Sequence, residues 1–133
     1  METKGKIILI IEDETPMLKV LSETIAENGF EVLQSTNGQD GLSLALQKHP
    51  NLILLDILMP KMDGQTMLHK LREDDWGKTV PVIVLSNISP DNDSDLQAII
   101  QNQPAYYFMK SNIKLDELVE KIKELLSNFP LSP

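Results

Sequence analysis

Leu52-Ile53-Leu54-Leu55-Asp56, followed by Ile57-Leu58-Met59-Pro60-Lys61-Met62-Asp63-Gly64, is the stretch that decides the fold. Four apolar residues in a row leave no polar side, so the strand they form is covered on both faces. That is the condition of a parallel sheet sandwiched between helices. The carboxylate ending the run then stands at the carboxyl edge, where open α/β sheets gather their chemistry. Ile7–Ile11 repeats the form and runs into Glu12-Asp13-Glu14.

Working outward, the spacing predicts further strands at Phe30–Gln34, Val80–Leu85 and Tyr106–Met109. Between them lie segments of helical period. The first spans Glu14 to Asn28, with Pro16 tolerated in its opening turn and Gly29 just past its end. Gly38 to Lys48, Gly64 to Glu73 and Asp93 to Asn102 follow. In the last segment Leu115, Leu118, Val119, Ile122, Leu125 and Leu126 form one stripe. Glu117 and Lys121 add an i,i+4 pair there. Five strands alternating with five helices imply an α/β three-layer sandwich. The second strand, half polar with Glu31 and Gln34, suits an edge.

A chain of 133 residues is one domain with room for a core. With no cysteine, disulfides, thiolate metal sites and cysteine nucleophiles are excluded. The net charge of −8 is the wrong sign for a duplex-binding surface. No apolar stretch approaches membrane-spanning length, and Ile7–Ile11 is too short for a signal-peptide core. The expectation is a cytoplasmic domain, with no direct nucleic-acid or membrane contact. The domain is expected over residues 5–127, with 128–133 a tail or the start of a linker.

All strands of a parallel sheet end on the same side. That rule brings Glu12 and Asp13 towards Asp56, with Ser86 after the fourth strand and Lys110 after the fifth. Clustered carboxylates repel unless a cation joins them. Hard oxygen donors suit Mg²⁺, which commonly links carboxylates to phosphate. A carboxylate beside such an ion can attack a phosphoryl group. Taken singly, each residue has a blander reading. Glu12–Glu14 fits a solvated helix start, Asp56 a turn, and Lys110 a surface lysine. The coincidence of all five at strand ends favours a site.

Other fragments fail as motifs. Asp91, Asp93 and Asp95 mimic a calcium loop, but Leu96 and Asn102 stand where its glycine and glutamate belong. Gly77-Lys78-Thr79 lacks the leading glycine and the following helix of a phosphate-binding loop. His49 and His69 read as surface residues, and Trp76 as loop packing.

With these pieces in place the chain resembles the receiver domain of two-component response regulators over about Lys6 to Leu126. The resemblance rests on Ile8-Leu9-Ile10-Ile11-Glu12-Asp13-Glu14, on Leu54 to Gly64, on Pro81-Val82-Ile83-Val84-Leu85-Ser86, and on Tyr107-Phe108-Met109-Lys110. It implies a flavodoxin-like doubly wound sheet of order 2-1-3-4-5. It further implies a phosphoacceptor signalling domain rather than an enzyme, with modest self-catalysed phosphorylation and dephosphorylation. Asp56 would take a phosphoryl group from a sensor histidine kinase or a histidine-phosphotransfer protein. Mg²⁺, or Mn²⁺ in its place, would be held by Glu12, Asp13, Asp56 and the backbone carbonyl of Leu58. Glu12, where many relatives have aspartate, would reach it through water.

Lys110 and Ser86 would contact the phosphoryl group, and Ser86 with Tyr107 would form the switch pair. The face of the fourth helix, fifth strand and fifth helix would carry the signal to a downstream protein or output domain, or pair two copies. Two alternatives are a receiver that docks without phosphorylation and a haloacid-dehalogenase-like phosphohydrolase. The second lacks an aspartate two residues after the nucleophile, where Leu58 stands.

Three departures from the family pattern stand out. Ser111 replaces the proline after Lys110, a position usually preceded by a cis bond; without proline such a bond costs about 2.5–4 kcal/mol. Asn87 replaces a small residue after Ser86. Gln103-Pro104-Ala105 replaces glycine-alanine, which should stiffen that loop. Apolar Leu58 and Ile88, two residues beyond Asp56 and Ser86, flank the approach of hydrolytic water in this family, so slow self-dephosphorylation is expected.

Overall fold

The computed structural model describes residues 3–57, 62–87 and 101–128. Its five strands are β1 (Ile7–Ile11), β2 (Glu31–Ser35), β3 (Leu52–Asp56), β4 (Val82–Ser86) and β5 (Tyr106–Met109). They form one parallel sheet of order β2-β1-β3-β4-β5. The half-polar β2 is an edge, as its composition suggested. Every residue of β3 and β4 is buried, as central strands between two layers require.

Alternate residues along each strand feed opposite layers. Ile8, Ile10, Leu52, Leu54, Ile83 and Leu85 pack with Leu18, Leu21 and Ile25 of α1 (Thr15–Glu27). Leu118, Ile122 and Leu126 of the C-terminal helix (Leu115–Asn128) complete that side. Leu9, Ile11, Ile53, Leu55, Val82 and Val84 face the other way. There they meet Ala45 of α2 (Gly38–Lys48) and Met67, Leu68 and Leu71 of α3 (Gly64–Glu73). Two apolar cores separated by one sheet hold the strand ends in register.

Local signals act as expected at most termini. Pro16 lies in the first turn of α1, and Gly29 adopts φ +93° just past its end. Asn37 and Asp63 cap α2 and α3 by accepting from the Asp40 and Thr66 amides. Three strands differ from the sequence reading. β2 spans Glu31–Ser35 rather than Phe30–Gln34, β3 extends past Leu55 to Asp56, and β4 spans Val82–Ser86 rather than Val80–Leu85. Pro81 has no amide to donate, so the ladder starts after it.

Among the described residues there are four α-helices. The expected helix from Asp93 to Asn102 lies outside them, apart from its last two residues. The Glu117–Lys121 pair gives way to Lys121–Glu124, at 2.9 Å. Arg72, at the end of α3, donates to four backbone carbonyls: Gly77 and Val80 ahead of β4, and Asn102 and Gln103 ahead of β5. Burial pulls its pKa below the usual arginine value. His49 stacks on Trp76, with ring centres 4.3 Å apart. His69 contacts Asn102 and lies 3.9 Å from Glu73, a carboxylate the sequence reading had not given it. No described helix is long and apolar enough to cross a membrane.

Candidate functional site

The site is assembled by strand register. Ile11 pairs with Leu55, and Asp56 pairs with Leu85, so Glu12 leaves β1 beside the end of β3. Ser86 pairs with Met109, which sets Lys110 one residue beyond the β4–β5 ladder. Gly64 ties the start of α3 to the end of β3, its amide donating to Ile57 O at 2.8 Å. A Cβ on Gly64 would lie 2.4 Å from the Asp56 carbonyl oxygen, so only glycine lets α3 start this close. Thus the Asp63-Gly64 pair caps α3 and clears space for the strand end.

Glu12, Asp56, Ser86 and Lys110 are all buried, and Asp13 is half-buried. Lys110 Nζ is the hub. It donates to Glu12 Oε2 at 2.9 Å, to Asp56 Oδ2 at 3.3 Å, and to Glu14 Oε1. The Glu12 carboxylate also accepts from the Glu14 amide at 3.0 Å. Nζ lies equally near the second Glu12 oxygen, Oε1, at 2.9 Å. Oε1 is buried and makes no hydrogen bond, and the ion pair with Lys110 is its contact.

Burial raises the Asp56 carboxyl to about 8, with the charge and hydrogen bond of Glu12 adding, Lys110 opposing, and Asp13 adding again. Burial by itself would lower Lys110, but its hydrogen bonds to Glu14 and Glu12 and the charges of Asp56 and Glu12 outweigh it and raise it. The electrostatics therefore describe three carboxylates crowded around too little positive charge. One oxygen from each of Glu12, Asp13 and Asp56 lies within 4.8 Å of the others. Such an all-oxygen set fits a hard divalent cation.

Of the predicted site residues, all but Leu58 fall among the described ones. Glu12, Asp13, Asp56 and Lys110 come together. Ser86 is fully buried at the end of β4, next to them in sheet order. Tyr107 pairs with Val84 and packs half-buried on the α2–α3 side of the sheet. The Leu58 carbonyl and Ile88 lie outside the described residues. Two contacts were missed. Glu14 reaches Lys110 across a sequence separation of 96 residues, and Asn87 Oδ1 accepts the Ser111 amide at 2.8 Å. The second contact joins two of the three departures from the family pattern. The amide that proline would lack is taken up by the side chain that a small residue would lack.

Residues 8–123 match the family described as response regulator receiver domain. The chain belongs to that family of two-component signalling domains. RpaA of Synechocystis sp., a DNA-binding dual master transcriptional regulator, is 30% identical over 119 residues, covering 90% of this chain and 48% of RpaA. The polar-differentiation response regulator DivK of Brucella anthropi is 28% identical over 123 residues, covering 92% of this chain and 98% of DivK. The signal receiver domain of a histidine kinase from Syntrophus aciditrophicus superposes with a TM-score of 0.87 at 27% identity. That match covers 97% of this chain and 96% of the other. The chain spans under half the length of RpaA and about a third of other transcriptional regulators it matches.

Proposed function

We propose that residues 5–127 act as a phosphorylation-controlled switch in the cytoplasm, with Asp56 as phosphoacceptor and no turnover of a small-molecule substrate. The observation that carries this reading is the placement of Lys110 Nζ 3.3 Å from Asp56 Oδ2, within the Glu12–Asp13–Asp56 cluster.

An Asp56 carboxylate oxygen attacks the phosphorus of a phosphohistidine on a sensor kinase or phosphotransfer protein. The P–N bond breaks as the P–O bond forms, and the departing imidazole nitrogen takes up a proton. A bound Mg²⁺ or Mn²⁺, held by Asp13, Asp56 and the Leu58 carbonyl with Glu12 assisting, would supply Lewis-acid charge to the transferring oxygens. Lys110 turns its ammonium from the carboxylates to the phosphoryl oxygens, supplying fixed positive charge in a water-poor site. Ser86 donates its hydroxyl to another of those oxygens. Tyr107 then repacks, and the surface around β5 and the C-terminal helix changes to suit a downstream protein or output domain.

Intact-mass measurement after acetyl phosphate with Mg²⁺ tests this. The wild type gains one phosphate and Asp56→Asn gains none. Equal labelling of both, or of neither while beryllofluoride also fails to bind, removes the proposal.

A further inference from the structure

The outer side of β5 and the C-terminal helix form a shallow groove of about 310 Å³. Tyr106 and Phe108 floor it, their rings 4.9 Å apart, and Tyr106 is 40% exposed. Asp116, Glu117, Glu120 and Glu124 rim it, with Lys121 the one basic residue of the lining. Lys121 is already engaged, its ammonium 4.2 Å from the Tyr106 ring centre and 2.9 Å from Glu124. Among the described residues no basic side chain pairs with Asp116, Glu117 or Glu120.

Lys121 shows what this floor accepts: a cation over an aromatic face, held by a carboxylate. The surplus of acids calls for more positive charge than the chain supplies locally. Of the described residues in β4, β5 and the segment leading into β5, none is Lys or Arg. A second copy meeting this face by two-fold symmetry would set the patch against itself. Like charges would then oppose one another.

We propose that this groove docks a basic segment of a partner protein, with an arginine or lysine laid against Tyr106 and its neighbours paired with Glu117 and Glu120. The inference deepens the proposed function by naming the partner's chemistry, and it rests on that reading only for any dependence on phosphorylation.

The test uses the full chain and a fluorescent amphipathic helical peptide bearing arginines beside a leucine face. A glutamate-substituted version is the control. Fluorescence anisotropy should show binding of the arginine peptide only. Glu117→Gln/Glu120→Gln should weaken it about tenfold through loss of two charge pairs. Tyr106→Ala should weaken it similarly, while Tyr106→Phe keeps the ring and the binding.

The charge-matched Glu23→Gln/Glu27→Gln pair on α1 should leave affinity unchanged. Equal loss in that pair would mean general attraction to an acidic protein, and the inference would fail. It would fail too if binding ignored Tyr106 and Glu117/Glu120, or if sedimentation found a dimer that their substitution dissolves. Intact mass of the same samples separates the two readings. Phosphate on Asp56 without peptide binding sinks the groove alone; groove-dependent binding without phosphate uptake sinks the phosphoacceptor reading alone.

Discussion

Asp56 has a folded-state pKa of about 8 against an ordinary value of 3.8, raised first by burial and then by Glu12. Between those values the folded protein holds a proton that the unfolded chain has released. Stability in the absence of divalent cations therefore falls as pH rises across that window, by up to about 1.4 kcal/mol per pH unit. Asp56→Asn removes the charge while keeping the shape. In chelator it should melt above the wild type at pH 8, and the gap should narrow steadily towards pH 4. A gap that widened on acidification would contradict this account. Glu14 supplies the second residue-scale prediction. It holds Lys110 from the solvent side, and in Glu14→Gln the ammonium is freer to meet an incoming phosphoryl group. Uptake from acetyl phosphate, followed by intact mass, should quicken about two- to fivefold, equivalent to about 0.5–1 kcal/mol of barrier. Slower uptake would mean that Glu14 orients Lys110 rather than restrains it.

Between elements, two contacts tie the loops on either side of the sheet's far half. Asn87, after β4, accepts from the amide of Ser111, after β5. Asn87→Ala leaves that amide without its partner and should cost about 1 kcal/mol. Ser111→Pro alone removes the amide and leaves Asn87 idle. The double variant loses both partners together, so denaturant melts should show it less destabilised than the two single changes summed. Strict additivity would mean the two departures from the family pattern are unrelated. At the opposite end of the strands Arg72 binds the loops before β4 and β5 through four carbonyls. Arg72→Met keeps the aliphatic stem and loses the fork, and should destabilise the chain by about 2–3 kcal/mol. The sequence disclosed the elements better than these ties. Continuous apolar runs in β1, β3 and β4 could only be central strands, and Asp63-Gly64 marked the start of α3. Register then follows from parallel topology, which is why the sequence alone brings Glu12, Asp13, Asp56 and Lys110 to one edge. Asn87–Ser111, Glu14–Lys110 and the Arg72 clamp join single side chains across long separations. They leave no periodic trace.

For the whole molecule, the parallel sheet does two jobs with one geometry. Its apolar strands stabilise the fold, and their shared direction forces acids from β1 and β3 into one place, where they oppose folding unless charge is supplied. Lys110 supplies part of it; the raised Asp56 carboxyl registers the remainder. A divalent cation should therefore bind the folded chain alone and stabilise it by mass action. At a hundredfold excess over its dissociation constant the gain is about 2.7 kcal/mol. That is a rise in melting temperature of roughly 10 °C at about 4 °C per kcal/mol. Net charge complicates the reading, because any salt screens repulsion within a chain of charge −8. The measurement is accordingly made at matched ionic strength, MgCl₂ against NaCl, on the wild type and Asp13→Asn. Asp13 is half-buried and makes none of the Lys110 contacts, so its loss should abolish the Mg²⁺-specific increment while sparing the ammonium hub. An equal Mg²⁺ increment in the variant would place the cation somewhere other than between β1 and β3.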